Sequence, residues 1–365
     1  MDRADVAGSR LTPVDIRPLD LANDSALTAA YLIECSATQR VRPDWVPLAQ
    51  EARILGWRAD TGWTNHLLGA WDSATMRGFA ACMTADDTPD TTWINVSVDP
   101  QHQGRGLGST LARAAEDAGP ASTKRFVASA YRPSPDAIHT LIRRFAQPLG
   151  YAVATTETVV ELDLRSMSLP APLVADGYEV STHLNGVPEK FREQVGQIKG
   201  LVDAEASNGD LGWGETPVSS AEYAKEIDLW VAQGRTAVES VAVDKHGGVA
   251  AWTCLVATDD MRRPAQIEGT LVVGQHRGWP RSRSRGQAGL PPEGATARDR
   301  QPGQDEQRRP ERVDARHQRR DRVMPVETEI IVQKPTCDGL SSDARERALL
   351  PQAVRVPGDG SATTD

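Results

Sequence analysis

Apolar and polar positions follow two periods along this chain, and they follow them twice. Residues 14–17, 66–71, 77–83 and 92–98 are short β-branched or alternating runs bounded by polar turns such as ADDTPD, which predicts strands. Residues 25–35 and 44–58 carry helical spacing before the second of those runs, and residues 108–119 carry it after the fourth. A strand at 126–130, a helix at 135–146 and a strand region at 151–164 complete the first series. The order then restarts. Residues 178–182 predict a strand, 189–204 and 220–233 helices, and 237–243, 249–256 and 267–273 strands. A last strand is predicted at 324–334. Val98-Asp-Pro-Gln-His-Gln-Gly104 aligns with Val272-Val-Gly-Gln-His-Arg-Gly278 at a constant offset of 174 residues, so the chain reads as two copies of one α/β unit.

Length agrees with that reading, since 365 residues is about two domains at roughly 150 each. The expected division is a disordered lead at 1–12, a first domain at 13–165, a linker at 166–175, a second domain at 176–334 and a disordered tail at 335–365. A hydrophobic content of 39% is enough for each copy to bury a core, and no run is long and apolar enough to span a bilayer. The four cysteines lie far apart without a C-x-x-C pair, which excludes a disulfide framework and a structural zinc site and points to a reduced, cytoplasmic protein. Seven histidines show no metal-binding spacing, so no metal is expected. A net charge of −9 argues against general nucleic-acid binding.

Chemistry concentrates at residues 93–115. A strand, Trp93 to Val98, runs into a loop with glycines at 104, 106 and 108, and a helix begins there. Alternating glycines allow successive main-chain N–H groups to face one concavity, and the following helix adds the positive end of its dipole. Arg105 adds a cation. A diphosphate is the natural guest. The spacing is neither that of a dinucleotide-binding fold nor that of a Walker loop.

The longer string Val98-x-Pro100-x-x-Gln103-Gly104-x-Gly106-Leu107-Gly108 resembles the coenzyme A pyrophosphate loop of the GNAT (Gcn5-related) N-acetyltransferase superfamily. The elements around it, ending at Leu149-Gly150-Tyr151, occur in that family's order. The resemblance implies tandem α/β (α+β) folds, each a mixed, mostly antiparallel sheet flanked by helices and splayed at one point to admit acetyl-CoA. It implies that main-chain groups of Val96 and Val98 align the pantetheine arm and acetyl carbonyl. The amides of Gln103, Gly104, Arg105, Gly106, Leu107, Gly108 and Ser109 would hold the pyrophosphate. The implied reaction is direct attack of a primary amine, small molecule or peptide, on the thioester, with no metal, nucleic acid or membrane taking part; a homodimer is left open.

The first copy departs from the family at its proton-handling positions. Ile94 and Asn95 stand where many members carry an acid, and Ala146 stands where many carry a tyrosine; the neighbouring Phe145 has no proton to donate. Tyr131 and Tyr151 are the alternatives, so the catalytic residues stay unassigned and a non-catalytic acyl-CoA-binding module is the rival reading. His102, beside the loop, and Trp45, Trp57, Trp63 and Trp71, ahead of the second strand, read as surface and core residues respectively.

The second copy departs further. It carries Glu268 at the base position, but its loop gives way to an arginine-rich stretch. Residues 278–322 hold twelve arginines, no lysine and seven acids, and too few apolar side chains to offset their ordering entropy. Read one base out of frame, Trp279-Pro280 forces a glycine codon, and the following codons permit the rest of the missing loop. The codons of 317–322 permit Asn-x-x-x-Gly in the same frame. Two compensating frameshifts over about 279–322 are therefore expected, and the second copy as written should bind coenzyme A poorly.

Overall fold

The computed structural model describes residues 14–86, 88–166, 174–205, 209–211, 214–274 and 323–336. The expected lead, most of the linker, the arginine-rich stretch and the tail from 337 lie outside the described residues. The chain forms two compact units, one of residues 1–157, 208–212 and 328–365, the other of 158–207 and 213–327.

The first unit begins with β1 (Asp15–Pro18), followed by α1 (Asp24–Val41) and α2 (Gln50–Arg58). Asn23 caps α1 by accepting from the Ala26 N–H at 3.1 Å. The helix predicted at 44–58 starts only at Gln50, because Pro47 cannot donate a helical hydrogen bond and disfavours helical geometry in the residue before it. Strands β2 (Trp63–Asp72), β3 (Thr75–Ala85) and β4 (Thr91–Val98) form an antiparallel meander. Then come α3 (Leu107–Asp117), β5 (Arg125–Arg132), α4 (Pro135–Leu141) with a π turn at Ile142–Ala146, and β6 (Ala152–Leu162).

Two cores cover the two faces of this sheet. On one face Leu111 and Ala112 of α3 pack with Ala80, Cys82, Ile94 and Val98. On the other, Leu27, Ala30 and Ile33 of α1 pack with Phe79 and Ala81. Each fully buried Leu or Phe contributes about 1.5–3 kcal/mol of transfer free energy.

The sheet order is β1-β2-β3-β4-β5-β11-β6, where β11 (Val323–Pro335) is the strand predicted at 324–334. That strand was expected to close the domain at 176–334. It lies instead in the first unit's sheet, antiparallel to β5 from Thr328↔Arg132 to Pro335↔Arg125. The reason is hydrophobic. Ile330, 1% exposed, and Val332 complete the core beneath α3, and without them β5 and β6 would have no partner between them. Lys334 adds an ion pair to Glu116 of α3 at 2.6 Å, and Thr336 N–H bonds Lys124 O at 2.7 Å.

The second unit contains β7 (Tyr178–Leu184), α5 (Glu189–Glu205), α6 (Ser220–Ala232), β8 (Arg235–Asp244), β9 (Val249–Thr258) and β10 (Gln266–Val272). Its described sheet is antiparallel in the order β10-β9-β8-β7. Ser219 and Glu222 form a reciprocal capping box at the start of α6. The core holds a buried carboxylate, Glu239, which accepts from the Tyr223 hydroxyl and from Trp252 Nε1 at 2.9 Å.

Candidate functional site

Parallel pairing between β4 and β5 is confined to Thr91↔Arg125, Thr92↔Phe126 and Trp93↔Val127. Beyond Trp93 the two strands part, while β4 remains paired with β3 to Val98 and β5 remains paired with β11 to Arg132. The result is a wedge-shaped gap opening toward the C-terminal end of β4. Asp99 N–H donates to Arg77 O at 2.9 Å, which makes that pair hydrogen-bonded and fixes the alternation back along the strand. Main-chain groups of Ile94, Val96 and Val98 therefore turn away from β3 and into the gap. One of them is already engaged: Gln103 Nε2 donates to Val98 O at 3.0 Å.

That hydrogen bond anchors the loop after β4. Asp99 turns the chain by accepting from Gln101 N–H at 3.0 Å, and His102 is half-buried rather than a surface residue, its Nδ1 3.3 Å from Asp99 Oδ2 without a hydrogen bond. Gly104 and Gly106 take left-handed φ angles of +74° and +87°, and nothing lies within 4 Å of where a Cβ would stand on either. Gly106 is the N-cap of α3. The third glycine has a packing reason: a Cβ on Gly108 would stand 3.2 Å from Phe145 of the π turn. Among the described residues no acceptor receives the main-chain N–H groups of Gly104 through Ser109, and helical bonding begins with Thr110 N–H to Gly106 O at 3.1 Å. Arg105 is exposed beside them. A row of unpaired donors at the N-terminus of an eleven-residue helix is an anion cradle.

No curated protein matches this sequence. Residues 30–145, which include the gap and the loop, match the family described as "Acetyltransferase (GNAT) family". Residues 30–145 are a GNAT acetyltransferase domain. Over most of the chain the fold is similar to that of a tandem GNAT protein from the clavulanic acid biosynthesis pathway, with a TM-score of 0.59 at 15% identity over 90% of this chain and 100% of that one. It is also similar to a GCN5-related N-acetyltransferase from Sphaerobacter thermophilus, with a TM-score of 0.52 at 15% identity over 88% of this chain and 95% of that one. At such identities the likeness is one of fold.

In the first unit the positions noted for proton handling can be placed. Ile94 and Ala146 are buried apolar residues. The two alternative tyrosines part company. Tyr151 is buried in the core near Glu116 and Lys334, whose Nζ lies 5.7 Å from its ring centroid. Tyr131 stands near the end of β5, on the wall of the gap, level with Ser97 by the register of the parallel pair. Arg42, the residue following α1, places its guanidinium 4.7 Å from the Tyr131 ring centroid. Directly opposite Tyr131 on β11 is Glu329, whose carboxyl is an electrostatic neighbour of the Tyr131 hydroxyl. Burial pushes both up: Tyr131 stays a phenol, and Glu329 titrates above the ordinary glutamate range although Tyr131 and Arg42 oppose the shift. Sequence reasoning missed Glu329, because only strand pairing brings it to Tyr131.

Of the four tryptophans ahead of the second strand, Trp45 lies with its ring centroid 6.0 Å from the Arg42 guanidinium. Trp57 is in the core, edge-on to Phe79 with centroids 5.8 Å apart, Trp71 lies under Arg17, and Trp63 is 42% exposed. Among the described residues no group of His, Cys, Asp and Glu could hold a metal, and no helix is long and apolar enough to cross a membrane.

In the second unit Glu268 is the extra residue of a bulge between Ile267 and Gly269, with Arg235 Nη2 at 3.2 Å from Oε1. The loop that would follow β10 lies outside the described residues.

Proposed function

We propose that the first unit binds acetyl-CoA through the amides of Gln103 to Ser109 and the gap-facing main chain of Val96 and Val98, and transfers the acetyl group to a primary amine. The observation that carries this reading is the run of N–H groups from Gly104 to Ser109, unpaired among the described residues, at the mouth of a splayed β4–β5 pair. The pyrophosphate fits there because Gly104 and Gly106 leave the approach open. Acetyl-CoA brings the activated acyl group, and the chain aligns it.

A second reading, a binding module without turnover, is favoured by the apolar side chains at Ile94 and Ala146. Calorimetry with acetyl-CoA, followed by thiol release in the presence of benzylamine, spermidine, lysine ethyl ester and a tripeptide with a free N-terminus, separates the two. Thiol release with any of these amines supports transfer. Micromolar binding without release on any of them supports the module, and absence of binding removes both.

For the second unit we propose that two compensating shifts of reading frame over about 279–322 replaced its own loop. Strand β11, which follows that stretch, takes its register in the first sheet from Thr328 to Pro335, as a segment back in its proper frame would. A clean gene sequence lacking a one-base change at both boundaries defeats this reading.

A further inference from the structure

Three elements far apart in sequence meet on one face of the first sheet. Phe79 and Ala81 face the core beneath α1, and the register pairs them with Ser97 and Asn95. Ala128, Ala130 and Ile330 face the opposite core, so Tyr131 and Glu329, paired across β5 and β11, stand on the α1 side. Arg42 closes over the Tyr131 ring from the end of α1, and Glu157 of β6 also acts on Tyr131 and Glu329 electrostatically. Tyr131 is on the wall of the gap itself.

Resting on the acetyl-transfer reading above, we infer that Glu329 and Tyr131 are the proton-transfer pair of the first unit, with Glu329 delivered by the strand that follows the arginine-rich stretch. The amine arrives as an ammonium, and the Glu329 carboxylate takes one proton from it. The freed lone pair forms a C–N bond to the thioester carbonyl carbon, giving a tetrahedral adduct. The C–S bond then breaks, its electron pair stays on sulfur, and the Tyr131 hydroxyl gives its proton to that thiolate. Tyr131 is restored by the proton held on Glu329, and the last surplus proton on nitrogen leaves to water. One proton ends on the amide nitrogen, one on coenzyme A sulfur and one in solvent. Burial raises the Glu329 carboxyl and Glu157 adds to the shift, while Tyr131 and Arg42 oppose it, and a carboxylate of raised basicity is a better base toward an ammonium. Tyr131, held protonated, is the acid.

The test uses the full chain, the amines named above and pH 5.5 to 9.5. Glu329→Gln is expected to lower kcat/KM at pH 7 by about 100-fold or more and to erase the part of the acid limb absent from the amine's own titration. Glu329→Asp should restore that limb in part. Tyr131→Phe should lower kcat by about tenfold or more while KM for acetyl-CoA holds. Calorimetry with acetyl-CoA on each variant reports whether the gap is intact. A wild-type pH profile in Glu329→Gln with unchanged acetyl-CoA affinity overturns the pair and leaves acetyl transfer standing. Loss of acetyl-CoA affinity in that variant marks Glu329 as structural and also overturns the pair. Wild-type chain that binds acetyl-CoA but releases no thiol with any amine removes the acetyl-transfer reading and the pair together.

Discussion

Position 94 of the first unit is a buried isoleucine on a strand paired with β3 without a register break, and the strand runs into three glycines with unpaired amides. The equivalent position of the second unit, 174 residues later, is Glu268, set on a bulge beside Arg235. A bulge re-aims the residue it inserts, so the second strand is built to present a carboxylate and the first to keep a continuous apolar face. An anion cradle and a carboxylate on its leading strand are thus separable features of one layout. The half with the cradle has its nearby carboxylate, Glu329, on a strand arriving from beyond the other half. Dependence on β11 is the most breakable part of this contrast. Ending the chain after residue 322 should leave the first unit unable to fold cooperatively, seen as loss of the thermal transition assigned to it. Ile330→Ala should cost about 2–5 kcal/mol by denaturant titration. Ending the chain after residue 336 should change neither. A fully folded first unit without residues 323–336 would mean that β5 and β6 can pair without β11.

The next effect in size concerns the cradle. Gly106→Glu puts a carboxylate into the open approach at a backbone φ of +87°, so acetyl-CoA affinity should fall by at least about 100-fold. The left-handed backbone adds about 1–2 kcal/mol of strain. Glu268→Gln should leave acetyl-CoA affinity of the chain unchanged. Equal losses in the two variants would show that the cofactor site is not confined to the first unit.

Local features of this chain are legible in its sequence, and long-range pairings are not. The geometry of residues 98–108 is legible because a glycine loop is a local device: φ, amide exposure and helix polarity are set within about ten residues. Strand 324–334 was legible as a strand but not as a member of the first sheet, since edge pairing depends on which sheet has a vacant partner position. Glu329 was invisible for the same reason, sitting 198 residues after its partner Tyr131. Helical spacing over residues 44–58 extends past the true start of α2 at Gln50, because Pro47 stops the helix where the apolar period does not. The assignment of Tyr151 as an alternative acid fails on burial, since its hydroxyl lies in the core beside α3 rather than on the gap.

A smaller effect is expected in the second unit's interior. Tyr223→Phe removes a donor from Glu239 and the acceptor of the Val187 N–H, which bonds the Tyr223 hydroxyl at 2.8 Å. Leaving a buried carboxylate and amide short of partners costs about 1–3 kcal/mol. The transition assigned to the second unit should fall while acetyl-CoA binding by the first is untouched. A matching fall in both units would show that they unfold as one.

The smallest effect sharpens the contrast at positions 94 and 268. Burial raises the Glu268 carboxyl above its ordinary value, Glu226 adds to the shift, and Arg235 and Lys199 oppose it. A raised carboxylate binds its proton more tightly in the folded chain than in the unfolded one. Above about pH 4.3, the unfolded value, the folded state therefore holds the extra proton, and stability falls as pH rises through the window up to the elevated value. Glu268→Gln lacks that term, and the lost Arg235 pair adds an offset once Glu268 is ionised. Denaturant midpoints of the second-unit transition, measured from pH 4 to 7, should thus show the variant gaining on the wild type as pH rises. Ile94→Gln in the first unit should show no such trend, only a constant loss. A difference for Glu268→Gln that is flat or shrinks with pH would mean that Arg235 and Lys199 outweigh burial, and that the bulge presents an ordinary ion-paired surface carboxylate.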